Sequence, residues 1–227
     1  MDPSREDSHS MILDLSLDPF IIDFTKDGWL VLSIAKTQSI QFCNPLTRVK
    51  GDYPPNEEVR LYNVGSIGFS TNPTSPDCVT VKFVYEDDLV IYYHRYGDKR
   101  WTRFDVDNYD NEFSVGTGSP VYFNGAFYVL DRNLGHLGAF ELVDGGGSWN
   151  IYHTPVIPFA HFHSTQLSVV ENSLLYSLAI WDRESKCSSL TILKKHWVDV
   201  QNLGNYSLVI HRSSSISIPT SDDGMRN

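Results

Sequence analysis

The chain has 227 residues, 41% of them hydrophobic and 13% aromatic, enough to bury a core without disulfide or metal staples. Its formal net charge of −10, from 28 acidic and 18 basic residues, argues against a nucleic-acid backbone or an anionic membrane surface as partner. Both of those partners demand clustered Lys and Arg.

The first ten residues read as disordered, and 1–19 as an acidic N-terminal tail without the apolar core of a signal peptide. From Phe20 onward, short apolar runs alternate with turn residues, which is an all-β pattern. The first clear unit opens at Asp27-Gly28 with Trp29 to Leu32, then Ser39 to Cys43, an Asn44-Pro45 turn, and a stiff connection leading outward over Gly51 to Pro55. The second has Gly65 to Ser70, a turn over Pro73 to Asp77, Cys78 to Phe83, Leu89 to His94, and Trp101 to Phe104. The third has Pro120 to Phe123 and Ala126 to Leu130 on either side of Asn124-Gly125, a strong hairpin signal. It continues through Leu137 to Leu142 and, after a Gly-rich turn, Trp149 to Tyr152. The fourth has Gln166 to Val170, a Glu171-Asn172 turn, Ser173 to Ile180, a polar turn at Asp182 to Lys186, Ser189 to Leu193 and His196 to Val200. Leu203 to Ile210 and Ser213 to Ile218 begin something further. No run approaches the length of a membrane span.

Spacing is the informative feature. Trp101, Trp149 and Trp197 stand 48 residues apart each time. The turns at Asp27-Gly28, Asp77-Cys78, Asn124-Gly125 and Glu171-Asn172 keep nearly the same period. A repeat of that length with three or four short strands suits a propeller blade. The expected fold is therefore all-β and propeller-like, with about four blades of 47–50 residues and an incomplete ring, over 20–218. A β-sandwich is the alternative, and 219–227 reads as a C-terminal tail.

Chemistry-bearing residues are sparse. Cys43, Cys78 and Cys187 are odd in number and widely separated, so they read as buried thiols of a reducing compartment, the cytoplasm or nucleus. His161-Phe162-His163 puts two imidazoles on one side of a strand, but no third metal ligand is apparent. His94, His136, His153, His196 and His211 read as ordinary polar surface or hydrogen-bonded residues. Asp105, Asp107, Asp110 and Glu112 lack the spacing of a calcium loop and read as a solvated inter-blade loop. No nucleophile elbow, P-loop or dinucleotide fingerprint occurs, and Asp144 to Ser148 reads as a hairpin turn. Asn205-Tyr206-Ser207 fits a glycosylation acceptor by chance. No catalytic, cofactor-binding or metal-binding residue is assigned, no cofactor is expected, and the reading is that of a binding domain and not an enzyme.

Several strings, taken in order, carry a family resemblance. They are Asp27-Gly28-Trp29-Leu30-Val31-Leu32, Phe42-Cys43-Asn44-Pro45-Leu46-Thr47, Thr74-Ser75-Pro76-Asp77-Cys78, and Arg95-Tyr96-Gly97-Asp98 before Trp101. Phe123-Asn124-Gly125, then Leu203-Gly204-Asn205-Tyr206-Ser207-Leu208 running into Ser213, complete the set. The chain resembles the β-rich C-terminal region of plant F-box proteins, the family known as domain of unknown function 295, from about Asp27 to Ile218. The resemblance implies a protein-interaction domain like the substrate-recognition half of an F-box ubiquitin-ligase adaptor. It provides no catalytic residues. Nothing before Asp27 reads as an F-box, so direct binding to a Skp-type adaptor is not expected. The family's Gly-x-Lys-x-Asn-Cys continuation is not found after Ile218. The expected partner is an unknown protein substrate, with no nucleic acid and no membrane. The alternative function is a glycan-binding or glycan-hydrolysing propeller, on the strength of the aromatic content and the loop carboxylates.

Overall fold

Alternating apolar residues place one set of side chains on each face of a strand, so sheets built from such runs present two faces to bury. The computed structural model describes residues 20–34, 36–37, 39–54, 65–107, 112–116, 118–132, 136–144, 146–153, 165–170, 173–179, 185–191, 196–199, 205–210 and 215–219. Blade 1 runs β1 (Phe20–Lys26), β2 (Trp29–Ile34), β3 (Ser39–Asn44) and β4 (Val49–Asp52). Blade 2 runs β5 (Gly65–Phe69), β6 (Val79–Tyr85), β7 (Leu89–Arg95) and β8 (Thr102–Asp105). Blade 3 runs β9 (Val121–Phe123), β10 (Ala126–Leu130), β11 (Leu137–Val143) and β12 (Gly146–Tyr152). Blade 4 runs β13 (Thr165–Val170), β14 (Ser173–Ala179), β15 (Ser185–Thr191) and β16 (His196–Asp199). A two-stranded pair follows, β17 (Tyr206–Ile210) and β18 (Ser215–Pro219).

Neighbouring strands within each sheet are antiparallel and consecutive in sequence. The first strands of the blades meet in series, β1 beside β5, β5 beside β9 and β9 beside β13, and β18 of the pair lies beside β13. These are separate blades stacked one after another, as the repeat predicted, and not the two facing sheets of a sandwich.

Both landmarks of the repeat acquire a physical meaning. The turn landmarks at Asp27-Gly28, Asp77-Cys78 and Asn124-Gly125 fall between the first and second strands of blades 1, 2 and 3. Asp27 and Gly28 have φ of 51° and 79°, and Asn124 and Gly125 have 46° and 89°. Two left-handed residues in succession make the turn whose twist matches a hairpin. The tryptophans mark the fourth strands: Trp101 directly precedes β8, Trp149 lies in β12 and Trp197 in β16.

The faces between blades hold the core. Between blades 1 and 2, Phe24, Trp29, Val31, Ile40, Phe42 and Tyr53 meet Ile67, Phe69 and Cys78, with Trp101 packed alongside. Between blades 2 and 3, Val81, Phe83, Leu89 and Ile91 meet Phe113, Phe127, Val129 and Phe140. Trp149 seals this second seam, its ring centroid 5.9 Å from Phe83 and 5.2 Å from Phe113. Gly138 makes room for it, because a Cβ there would fall 2.1 Å from Cη2 of Trp149. Between blades 3 and 4, Tyr128, Leu130, Leu137 and Ala139 meet Leu167.

Blade 1 departs from expectation in two places. It begins one strand earlier, with Phe20–Lys26, where an irregularity at Asp23 interrupts the register between Ile22 and Phe24 and breaks the alternation. Tyr53, expected in a connection leading outward, turns inward and is 7% exposed. Its ring stacks 4.3 Å from Phe42 and 5.4 Å from Trp101, so it joins the seam that Trp101 covers. The Asn44-Pro45 string is a side-chain-capped turn, with Asn44 Oδ1 accepting from the backbone N–H of Leu46 at 3.0 Å and of Thr47 at 3.1 Å. The His161-Phe162-His163 pair, Asp110, the Glu171-Asn172 turn, most of the Asp182 to Lys186 turn and most of both expected tails lie outside the described residues.

Candidate functional site

Polar side chains concentrate in blade 2 and on the face it turns to blade 1. Strand β6 is buried along nearly its whole length, yet it carries Thr80 and Lys82 on one face. Lys82 is only 7% exposed. It sits opposite Ile67 on one neighbouring strand and Tyr92 on the other. Its charge interacts with Asp23 of β1, whose carboxylate accepts a short hydrogen bond from the Ser33 hydroxyl. Burial pushes the Lys82 ammonium below its ordinary value of 10.5, and the Asp23 charge opposes that push. Burial likewise raises the Asp23 carboxyl above 3.8, against the Ser33 hydrogen bond and the Lys82 charge. An acid and an amine whose ionisations are both resisted by burial form one chemically loaded point of this seam.

A second group lies farther along the same face. The Tyr53 hydroxyl pairs closely with Thr80, and His94 stands opposite Thr80 on β7. His94 is 4% exposed, its Nε2 lies 2.9 Å from the Asp98 carbonyl oxygen, and its Nδ1 has no partner among the described residues. The rings of Tyr53 and Trp101 flank it at 4.7 and 5.4 Å. Burial holds the imidazole below 6.5 and drives the Tyr53 phenol well above 10.0. The Cys78 thiol, also raised by burial, donates to the Thr71 carbonyl at 3.4 Å. His94 is therefore hydrogen-bonded as expected, but it is a core residue.

The third group reaches solvent. Arg103 on β8 donates from Nη1 to Glu86 at 3.0 Å and to the Tyr92 hydroxyl at 2.8 Å. Its Nε donates to Asp105 at 2.8 Å. The Tyr92 hydroxyl donates in turn to Glu86 at 2.9 Å. Burial, aided by the Glu86 charge, pushes the Tyr92 phenol up to about 12. One guanidinium thus fixes two carboxylates and a phenol at the rim of blade 2.

The residues considered from sequence are scattered by the fold. Asp105 belongs to the Arg103 network, and Asp107 is exposed. Glu112 pairs instead with His153 at 3.3 Å, and the His153 ring stands edge-on to His136 at 4.9 Å. No group of three or more His, Cys, Asp or Glu is placed to hold a metal ion among the described residues. Cys43 and Cys78 are buried free thiols. No helix among the described residues is long and apolar enough to cross a membrane. Lys82, Asp23 and Arg103 were not singled out from sequence. A lone Lys inside Val79-Thr80-Val81-Lys82-Phe83-Val84, a strand buried on both faces, was the available signal.

Comparison with known proteins adds the following. A family model described as KIB1-4 beta-propeller matches residues 19–227. An F-box/kelch-repeat protein of Arabidopsis thaliana is 26% identical over 230 residues, covering 99% of this chain and 63% of that protein. An F-box protein of the same plant is 29% identical over 143 residues, covering 62% of this chain and 37% of that protein. The chain thus spans less than two thirds of the length of these relatives. Among solved structures, a catalytically inactive virginiamycin B lyase from Staphylococcus aureus with quinupristin is similar, with a TM-score of 0.44 and 13% identity over 89% of this chain and 70% of that one. The selenomethionine form of the lyase gives 0.43 and 12% over 92% and 72%.

Two expectations are corrected. The reading of the chain as not an enzyme does not stand as an exclusion, because a propeller is a scaffold that carries many unrelated functions, enzymatic ones among them. That reading rested on missing short motifs, whereas a site shared between blades is assembled from residues far apart in sequence and leaves no motif. The narrower description as a ubiquitin-ligase adaptor is withdrawn as well, since the F-box relatives are matched over only 63% and 37% of their own length. Neither the lyase's activity nor its substrate passes to this chain at this level of likeness.

Proposed function

The chain belongs to the KIB1-4 beta-propeller family, and from that premise we propose that it is a recognition domain, corresponding to the β-propeller part of F-box-type relatives and folded over 20–218. The observation that carries this reading is the family match over 19–227, which takes in all four blades and the strand pair that follows them. The relatives named as F-box proteins support it, since they share this region at 26% and 29% identity. A stacked set of blades suits recognition because its rigid sheets carry turns and outer strands on a common scaffold. The ligand on this reading is a segment of another protein.

A second reading is glycan binding or cleavage. The observation favouring it is the Arg103 network, where Glu86 and Asp105 share one guanidinium beside the Tyr92 hydroxyl. Paired carboxylates near an aromatic polar group are the usual material of sugar sites.

One experiment separates the two. The purified chain is used to pan a displayed random-peptide library and to probe a glycan array in parallel. Enrichment of a peptide consensus supports the first reading. Glycan binding that is lost in Glu86→Gln and Asp105→Asn, without peptide enrichment, replaces it with the second. Silence in both assays overturns recognition by either route.

A further inference from the structure

Outer strands of a sheet expose unpaired backbone groups, and natural proteins blunt them with short length and charge. Blades 1 and 2 follow that rule. Strands β4 and β8 have four residues each, and each carries two charges, Lys50 and Asp52 on one, Arg103 and Asp105 on the other. Blade 3 does not. Its outer strand β12, Gly146–Tyr152, has seven residues and no charged residue or proline. Six of its seven residues are half-buried and Asn150 is exposed.

The register defines which backbone groups face outward. Val143 and Gly146 flank the tight turn that joins β11 to β12, and the pairs run from there to Leu137 and Tyr152. In such a hairpin, hydrogen-bonded and non-hydrogen-bonded pairs alternate from the turn. Gly147, Trp149 and Ile151 are the non-bonded positions, so their N–H and C=O groups point away from β11. They make no backbone hydrogen bond to a described residue outside the sheet. Seven residues at about 3.3 Å each give an edge of roughly 23 Å, enough for a short extended peptide.

Resting on the recognition reading, we propose that the outer edge of β12 is the docking site, and that its occupant is an extended segment of a partner protein with basic flanks, added as a fifth strand of blade 3. The charges around the edge select that occupant. Asp144 precedes the strand, and Glu112 stands at its far end, paired with His153. A second copy of this chain brings a net charge of −10 to the same acidic rim and is disfavoured. Side chains of the added strand alternate between two surroundings. On one face they continue the rim of the apolar seam holding Trp149 and Ile151, which favours apolar residues. On the other they meet Ser148 and the exposed Asn150, which favours polar ones.

The test uses the intact chain and synthetic copies of the peptides enriched from the displayed library. Amide hydrogen exchange is followed by NMR with and without each peptide. The proposal expects slowed exchange at Gly147, Trp149 and Ile151, and an enriched pattern of alternating apolar residues flanked by Lys or Arg. Asn150→Lys, an exposed substitution that adds the missing edge charge, is expected to weaken binding at least about tenfold with an unchanged thermal transition. Peptides that bind while protecting only amides elsewhere overturn the edge proposal and leave the recognition reading standing. A library that enriches nothing overturns the recognition reading, and the edge proposal falls with it.

Discussion

The seam between blades 1 and 2 and the seam between blades 2 and 3 use the two faces of the same sheet and solve the same problem differently. On one face of blade 2 stand Thr80, Lys82 and His94, and blade 1 answers with Asp23, Ser33 and Tyr53 among its apolar residues. On the other stand Val81, Phe83 and Ile91, and blade 3 answers with Phe113, Phe127, Phe140 and Trp149. A tryptophan closes each seam, but Trp101 donates its indole N–H to the Pro54 carbonyl at 3.0 Å, while Trp149 works by filling space beside Gly138. The lesson is that the architecture does not dictate the chemistry of its joints. One joint depends on paired polar groups and a buried imidazole, and so on pH; the other depends on volume.

That contrast is open to direct attack. Phe83 is fully buried in the apolar seam, so Phe83→Ala is expected to cost about 3–5 kcal/mol in urea unfolding. Gly138→Ala forces a methyl group against the Trp149 ring and is expected to cost about 3 kcal/mol by the same measurement. If either substitution proves neutral, the apolar seam is not packed as described.

In the polar seam the sensitivity is to pairing. Tyr53→Phe removes the hydroxyl that pairs with Thr80 in a fully buried position, leaving Thr80 only the weak Cys78 thiol, and is expected to cost about 1–3 kcal/mol. Adding Thr80→Val to it is expected to recover most of that loss, because both partners are then apolar. A double variant as unstable as the sum of the two single ones would deny the pair its role.

The pH dependence follows from the signs of the shifts. His94 is held below 6.5 in the folded chain, so beneath 6.5 the unfolded chain binds more protons and stability falls on acidification. Asp23 is raised above 3.8 and acts in the opposite sense, adding stability as pH falls through its folded value. Comparing the chain with His94→Gln between pH 7.5 and 5.5 isolates the imidazole: the variant is expected to lose less stability over that range. Equal losses would remove His94 from the account. The smallest effect belongs to the surface. Arg103→Ala breaks a half-exposed network and is expected to change stability by less than about 1 kcal/mol.

The repeat was readable because its signals are local. Asp27-Gly28 and Asn124-Gly125 take left-handed conformations that few other residue pairs adopt, and each Trp sits in or directly before the last strand of its blade. The start of blade 1 was harder to read, since Asp23 interrupts the alternation of Phe20–Lys26. Tyr53 was misplaced because two prolines follow it and suggest an excursion, whereas its ring has Phe42 and Trp101 to join. The polar clusters were the least legible. Asp23 and Lys82 are 59 positions apart in the chain, and only the stacking of β1 on blade 2 brings their charges together. The bare outer edge of β12 could be seen only once its place at the end of the sheet was known.

Residue-resolved hydrogen exchange at pH 7.5 and 5.5, corrected for the intrinsic rate, tests the contrast between the seams most directly. Amides of β2 and β3 are expected to lose protection on acidification while those of β10 and β11 keep theirs. Loss of protection in equal measure across all four strands would contradict that contrast.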